Sequence, residues 1–331
     1  MIIRTRSYPR AALLGNPSDG YFGKTIAFPF KNFHAEVTLY ETPELEILPA
    51  EYDSNVFRTI KDLADDVRLY GYYGGIRLLK AAVKRFYEYC EKNSIKIADR
   101  NFTIRYHSDI PFRLGLAGSS AIITACMKSL MTFFGVEIPK PILPNLIRSV
   151  ETEELGIAAG LQDRVVQTYE TPVYMDFNRE LLESRGYGNY EPMDKKLFHN
   201  LYIAYRTDLS EGSEVVHNNF RERYEFGEPQ VLNAIREWAE LTDKGKAALE
   251  NQDYQSLSGY INRNFDLRKT VMNISTKNIQ IVETARSTGA SAKFTGSGGA
   301  IIGTFTDDEM FRSLKEKLAV EKIEVLKPEI L

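Results

Sequence analysis

Over residues 101–106, Asn-Phe-Thr-Ile-Arg-Tyr, polar and apolar side chains alternate and include β-branched and aromatic members, a period of two that predicts a strand. From Ile122 the period lengthens. Ile122, Ile123, Cys126, Met127, Leu130, Met131 and Phe134 recur at three- and four-residue steps, which predicts a well-packed helix. Between them runs Pro111-Phe-Arg-Leu-Gly-Leu-Ala-Gly-Ser-Ser-Ala121, which reads as a turn. The same patterning predicts an opening strand over 2–14, strands over 25–30, 35–40 and 45–48, and a helix over 54–69. After Gly71-Tyr-Tyr-Gly-Gly75 an amphipathic helix runs to about Lys92, with Leu78, Leu79, Ala82 and Phe86 among its inward residues. A helix over 145–154 and a strand over 173–177 follow, and the polar, glycine-bearing stretch 183–196 reads as a linker. The second half opens with a strand over 201–205. Helices are predicted over 213–226, 229–250, 253–269, 276–287 and 307–319, and strands over 300–305 and 322–327. Strands and helices without strict βαβ alternation argue an α+β fold over a doubly wound sheet.

The turn at 111–121 carries the strongest chemical signal. Gly115 and Gly118 let backbone come close to a bulky anion, and the unpaired N–H groups at the start of the following helix would face it. Ser119 and Ser120 bring hydroxyls that can cap the helix or hold a phosphate or a metal. An ordinary Ser-capped helix after a glycine turn is the other reading of this stretch. A Walker A loop is absent; its nearest formal match, Ser18 to Thr25, has Ser where the first Gly belongs.

At 331 residues the chain suits two domains, and its 43% apolar and 26% charged residues are an ordinary globular balance. A net charge of −3 offers no general attraction to nucleic acid or anionic membrane, so phosphate binding must be local. No apolar run approaches the length of a membrane span, and the first residues lack a signal-peptide core. Cys90 and Cys126 lie in apolar helical patterns without metal-ligand spacing and read as buried thiols in a reducing compartment. A cytoplasmic enzyme is expected. The four histidines show no zinc or triad spacing, and Trp238 sits in an amphipathic pattern as a core residue.

Three further clusters stand out: Arg10 to Asp19, Glu151 to Asp163, and Lys293 to Gly299. Phosphoryl transfer needs donors around the phosphates, a divalent metal on hard oxygens, and a group that orients the accepting hydroxyl. The glycine-serine turn, Ser120 with a carboxylate, and Asp163 can supply these in turn. In order and type the clusters resemble the motifs of the GHMP small-molecule kinases. Arg10-Ala-Ala-Leu-Leu-Gly-Asn-Pro-Ser-Asp19 is similar to the first motif, 111–121 to the second and Lys293-Phe-Thr-Gly-Ser-Gly-Gly299 to the third. Glu151-Thr-Glu-Glu-Leu-Gly-Ile-Ala-Ala-Gly-Leu-Gln-Asp163 looks like the metal-Glu and catalytic-Asp segment of the sugar-1-kinase branch. The phrases Leu14 to Asp19, Tyr72 to Gly75, Ala159 to Arg164 and Ala292 to Ala300 are most similar to the uronic acid kinases of that branch.

The resemblance implies a two-domain GHMP kinase fold. A ribosomal protein S5 domain 2-like N-terminal domain would span 1–192 and a ferredoxin-like C-terminal domain 193–331, with ATP and substrate meeting in the cleft between them. It implies ATP and Mg²⁺, a uronic acid phosphorylated at its anomeric hydroxyl, and a monomer or homodimer. Asp163 would be the catalytic carboxylate, with Arg10 stabilising the transferring phosphoryl. Pro111, Gly115, Leu116, Ala117, Gly118, Ser119, Ser120 and Ala121 would receive the nucleotide phosphates, Ser120 and Glu151 would hold the metal, and Tyr72 and Tyr73 are candidates to stack on adenine. Asn16, Asp19, Gly296, Ser297 and Gly298 would meet the substrate.

Departures from the pattern matter too. Asn16-Pro17 stands where galactokinases carry Glu-His, so contacts to the sugar do not transfer there, and Ala300 ends the third motif where Gly is usual. Arg164 follows the catalytic Asp where heptose kinases often have Gln. A bidentate guanidinium suits a uronate carboxylate, so Arg164 is a candidate reader; pairing with a structural acid is its other reading, and Lys24 and Arg206 compete for the role. Plain structural readings also remain for Asp163 as a helix N-cap, for Glu151, Glu153 and Glu154 as a solvated face, and for Tyr72 and Tyr73 as core. The alternative functions are a kinase acting on C1 of a neutral sugar of the heptose, fucose or galactose type, a non-catalytic sensor, and a decarboxylase acting through a phosphorylated intermediate.

Overall fold

The computed structural model describes residues 1–50, 53, 57–61, 63, 74–207 and 220–331. The chain divides into two compact units that interleave in sequence. The first comprises Met1–Pro9, Phe33–Phe112 and Ala117–Thr168, and the second Arg10–Asn32, Arg113–Leu116 and Tyr169–Leu331.

The first unit is a sheet backed by helices. Strands β1 (Ile2–Ser7), β4 (Ala35–Thr42), β5 (Glu46–Ile47) and β6 (Asn101–Ser108) lie in the order β1-β4-β6-β5. Neighbours are antiparallel, as in Ile2↔Tyr40 and Ala35↔Ser108, except that β5 runs parallel to β6. Helix α2 (Gly118–Phe134) packs on β1 and β4, and α1 (Gly75–Lys92) packs on α2. Covered from two sides, α2 buries Ala121 through Met127 without interruption, as a helix apolar around most of its girth must. Its Thr124 and Ser129 find partners: Thr124 donates to Gln167, and Ser129 meets the hydroxyl of Thr5 at 2.6 Å.

Past α2, α3 (Leu143–Ser149) opens into a wider π-helical turn, Val150–Glu154, and α4 (Gln162–Tyr169) follows. The pattern predicted one regular helix over 145–154. The wider turn instead carries Glu151 inward, and the Glu151 carbonyl accepts from Ile157 N at 2.8 Å.

The second unit holds two antiparallel sheets. In one, β2 (Arg10–Leu14), β3 (Lys24–Pro29), β7 (Val173–Asp176) and β8 (Asn189–Pro192) lie in chain order. In the other, β9 (Leu201–Arg206), β10 (Lys293–Phe294), β11 (Ala300–Thr304) and β12 (Ile323–Leu326) are ordered β10-β11-β9-β12. With helices after β9 and between β11 and β12, this is the ferredoxin-like arrangement expected of the C-terminal half. Short α5 (Arg179–Arg185) links β7 to β8. Then α6 (Phe220–Glu225), α7 (Pro229–Glu250), α8 (Tyr254–Val271) and α9 (Thr276–Arg286) precede β10, and α10 (Asp308–Ala319) precedes β12. Phe265 of α8 packs into the core of this sheet, while Leu267 and Val271 join Trp238 of α7 in a second cluster. Trp238 is wholly buried, as its pattern predicted, and donates to the Asn264 carbonyl at 3.1 Å.

Two expectations are corrected. Residues 2–14 form two strands in different sheets, because Pro9 has no N–H to continue a ladder and β1 ends at Ser7. The linker read over 183–196 instead supplies edge strand β8, paired Val173↔Pro192 to Asp176↔Asn189; its polarity reflects an edge facing water. The helix expected over 54–69 and the start of that over 213–226 fall largely outside the described residues. Cys90 and Cys126 are buried free thiols, and burial pushes the Cys126 thiol up to about 12. Among the described residues no helix is long and apolar enough to cross a membrane.

Candidate active site

The predicted site residues assemble as two groups, each inside one unit. In the first unit α2 begins at Gly118, four residues before its apolar period, so Ser119 and Ser120 occupy its first turn. Ala117 precedes them at φ 64°, and no side chain caps the helix. The first helical bond, from Ala121 N to the Ala117 carbonyl, leaves the amides of Gly118, Ser119 and Ser120 ahead of the ladder. At 17 residues α2 brings a full macrodipole to this end.

Neither serine hydroxyl serves those amides. Ser120 Oγ is buried and donates back to the Ala117 carbonyl at 3.1 Å, while Ser119 Oγ donates to Glu151 Oε1 at 2.8 Å. The hydroxyl that meets the predicted metal ligand is therefore that of Ser119. Glu151 is 2% exposed, and its Oε2 pairs with Arg164 Nη2. Arg164 Nη1 in turn donates to Asp163 Oδ2 at 3.1 Å and to the Gly160 carbonyl at 3.0 Å. Ser119, Glu151, Arg164 and Asp163 thus form one continuous polar chain leading from the mouth of α2 to the first turn of α4. Of the two readings of Arg164, the structure shows pairing with protein acids. Gln167, one turn after Asp163, donates to the carbonyls of Tyr8 and Ala117 and ties α4 to the residue before α2.

A carboxylate and a serine hydroxyl are hard oxygen donors. They suit Mg²⁺, which takes few protein ligands and fills its shell with water and phosphate oxygens. No cluster of three or more His, Cys, Asp or Glu able to hold a metal occurs among the described residues.

The second group brings the first and third motifs together. The backbone N–H of Arg10 donates to the Leu116 carbonyl at 3.1 Å and that of Ala12 to the Thr295 carbonyl at 3.0 Å. The Arg10 guanidinium is buried and reaches the carbonyls of Thr295 at 2.6 Å and Gly115 at 3.2 Å. A Cβ on Gly296 would collide with the Gly115 carbonyl and crowd Arg10 Nη1 at 3.1 Å. That close approach requires glycine. Gly296→Ala is expected to destabilise this unit by about 1–3 kcal/mol and to lower activity. Urea unfolding with a turnover assay checks it, and an unchanged midpoint would show that the two turns do not depend on this contact.

Asn16 is buried, its Nδ2 directed at the carbonyls of Gly296 and Phe294 at 3.4 and 3.5 Å. Asp19 lies in the 3₁₀ turn Ser18–Tyr21, and Ser297 and Gly298 follow Gly296 in the third motif. Lys24 pairs with Asp243 at 2.8 Å and Arg206 closes β9. Tyr72 and Tyr73 lie outside the described residues.

Sequence reading passed over Asn264 and Arg268 on α8. Asn264 Oδ1 accepts from Gly15 N at 2.7 Å and its Nδ2 donates to the Asn16 carbonyl at 3.1 Å, while Arg268 Nη1 donates to the Gly296 carbonyl at 2.8 Å. A signal was present, since Leu257, Ile261, Phe265 and Arg268 fall on one helical stripe.

The first unit thus carries helical amides ahead of the α2 ladder with a serine hydroxyl and linked acids beside them, and the second a glycine turn closing on an arginine, the separate parts that the motifs implied. The comparisons agree. Residues 77–171 match the family model described as the GHMP kinases N terminal domain, and 246–320 that described as GHMP kinases C terminal. The chain belongs to the GHMP kinase family. It is 42% identical to "Probable glucuronokinase 2" of Arabidopsis thaliana over 91% of this chain and 84% of that protein. It is 40% identical to "Glucuronokinase 1" of the same plant, with the same two coverages. The fold also matches the crystal structure of Lactococcus lactis galactokinase complexed with galactose, with a TM-score of 0.74 at 14% identity, covering 99% of this chain and 93% of that one.

Proposed function

We propose that this phosphotransferase moves the γ-phosphoryl of ATP to the anomeric hydroxyl of a uronic acid, converting D-glucuronate and ATP to D-glucuronate 1-phosphate and ADP. The observation that carries the reaction type is the chain Ser119–Glu151–Arg164–Asp163 at the start of α2. The likeness to two glucuronokinases over most of the chain supports the substrate class.

In this reading the amides of Gly118, Ser119 and Ser120, with the turn from Pro111 through Leu116, receive the nucleotide phosphates, and the α2 dipole favours their charge. Ser120 and Glu151 would hold Mg²⁺, with the Ser119 hydroxyl already on Glu151 Oε1 at 2.8 Å as a further hard donor beside them. When bound, that ion would neutralise phosphate charge. Asp163 takes the hydrogen bond of the anomeric hydroxyl and then its proton as the new O–P bond forms and the bond to ADP breaks. Arg164 holds the Asp163 carboxylate in place, and Arg10 offers fixed positive charge to the transferring phosphoryl. Asn16 and Asp19 meet the sugar. The protein is expected to be cytoplasmic, organised as modules 1–192 and 193–331, and monomeric or homodimeric.

A panel of sugars with ATP and a coupled ADP readout tests this. D-glucuronate should be turned over well ahead of neutral hexoses and heptoses. Preference for a neutral sugar would replace the substrate assignment, and no ADP formation with any sugar would remove the kinase reading.

A further inference from the structure

Arg268 is 7% exposed, yet among the described residues no acid forms an ion pair with it. Its partners are the carbonyls of Gly296 at 2.8 Å and Ser297 at 3.4 Å, and it lies over the Phe294 ring at 5.2 Å. Carbonyl oxygens satisfy donors without neutralising a cation, and a buried cation is costly unless an anion answers it. The surroundings add to the imbalance. Burial holds the Arg268 guanidinium down to about 10, with the charge of Asp19 acting against it. The fully buried Lys293 amine, bonded to the carbonyls of Ala12 and Phe294, is held well below its usual range by burial and by the charges of Arg268 and Arg10. Three basic side chains therefore surround the single backbone turn Phe294–Ser297.

A second observation points to the same occupant. Asn16 is 2% exposed, and its Oδ1 has no hydrogen-bond partner. Its Nδ2 is directed at the Gly296 carbonyl at 3.4 Å, the same oxygen that Arg268 binds, so the two side chains converge there. A ligand suited to this corner brings an anion for the guanidinium and a hydroxyl to donate to an amide oxygen. A sugar acid carries both on one small molecule. A guanidinium has five donors, and the two bonds to Gly296 and Ser297 leave others for a carboxylate.

We propose that Arg268 binds the carboxylate of the sugar acid, with Asn16 Oδ1 accepting a hydrogen bond from a hydroxyl of the same molecule. The proposal rests on the uronic acid reading above and assigns its specificity to α8, with Arg164 committed to Glu151 and Asp163.

The test compares D-glucuronate with D-glucuronamide, its uncharged C6 amide, as substrates with ATP. The wild-type protein should prefer the acid. Arg268→Gln should reduce that preference by about 10²-fold, the scale of a lost charge-assisted bond, through KM for the acid and with KM for ATP nearly unchanged. Arg268→Lys should fall between the two, since an ammonium keeps the charge without the fork. An unchanged acid-to-amide ratio in a variant that still turns over would overturn the proposal, as would a rise in KM for ATP alone, which would make phosphate the anion bound. If Arg268→Gln does not fold, the lysine variant and the wild type decide the matter: equal use of acid and amide by the wild type, or a lysine variant with the wild-type ratio, overturns it. A wild-type protein inactive on every sugar acid but active on neutral sugars would overturn the uronic acid reading itself, and this proposal with it.

Discussion

Asp163→Asn is expected to lower turnover of sugar and ATP by about 10²-fold or more while leaving nucleotide binding close to that of the wild type. The substitution keeps the size and one oxygen of the side chain but removes its charge and its capacity to accept a proton. The expected nucleotide groups, the amides at the mouth of α2, lie on a different helix, and they are held by the Gln167 bond to the Ala117 carbonyl at 3.0 Å, which the change does not touch. Steady-state kinetics paired with calorimetric titration of an unreactive ATP analogue separates the two effects. Turnover within a few-fold of normal would remove Asp163 from the chemistry. A parallel loss of nucleotide affinity would show that it acts by holding the site together.

The second large effect concerns stability. Arg164→Met is expected to destabilise the first unit by about 3–5 kcal/mol, the usual cost of stripping one partner from a buried ion pair. Arg164 bridges Glu151 and Asp163, whose side chains are 2% and 17% exposed. Without the guanidinium the Glu151 charge is stranded in the interior with, among the described residues, the Ser119 hydroxyl as its remaining side-chain partner. The double variant Glu151→Gln with Arg164→Met removes that stranded charge and should recover part of the loss. Urea unfolding of the three proteins checks both statements. A single variant as stable as the wild type, or a double variant less stable than the single one, would contradict the account of a buried, mutually dependent pair.

Much of the chain could be read from local pattern. The change of period around 101–134 marks β6, the turn and α2, because strands and helices place apolar residues at different steps. Pattern set Ser119 and Ser120 apart from the apolar repeat for a physical reason: the first turn of α2 carries small residues that add nothing to it. The 2–14 and 183–196 readings failed differently. Alternation shows that a segment is extended, but which sheet it joins depends on partners distant in sequence, as β2 with β3 and β8 with β7 show.

The order and residue types of the motifs, and hence the family and the class of reaction, were written in the amino-acid sequence, since glycine, serine and carboxylate chemistry belongs to the residues themselves. Which charge answers which was decided only by the tertiary structure. Arg164, the residue the pattern offered to a substrate carboxylate, pairs with Glu151 and Asp163, while Arg268, on the buried stripe of its helix, is carried into the interior where no ion pair answers it among the described residues. Burial is what gives these pairings their weight, because it removes the water that would otherwise screen them, and burial is a property of the folded chain.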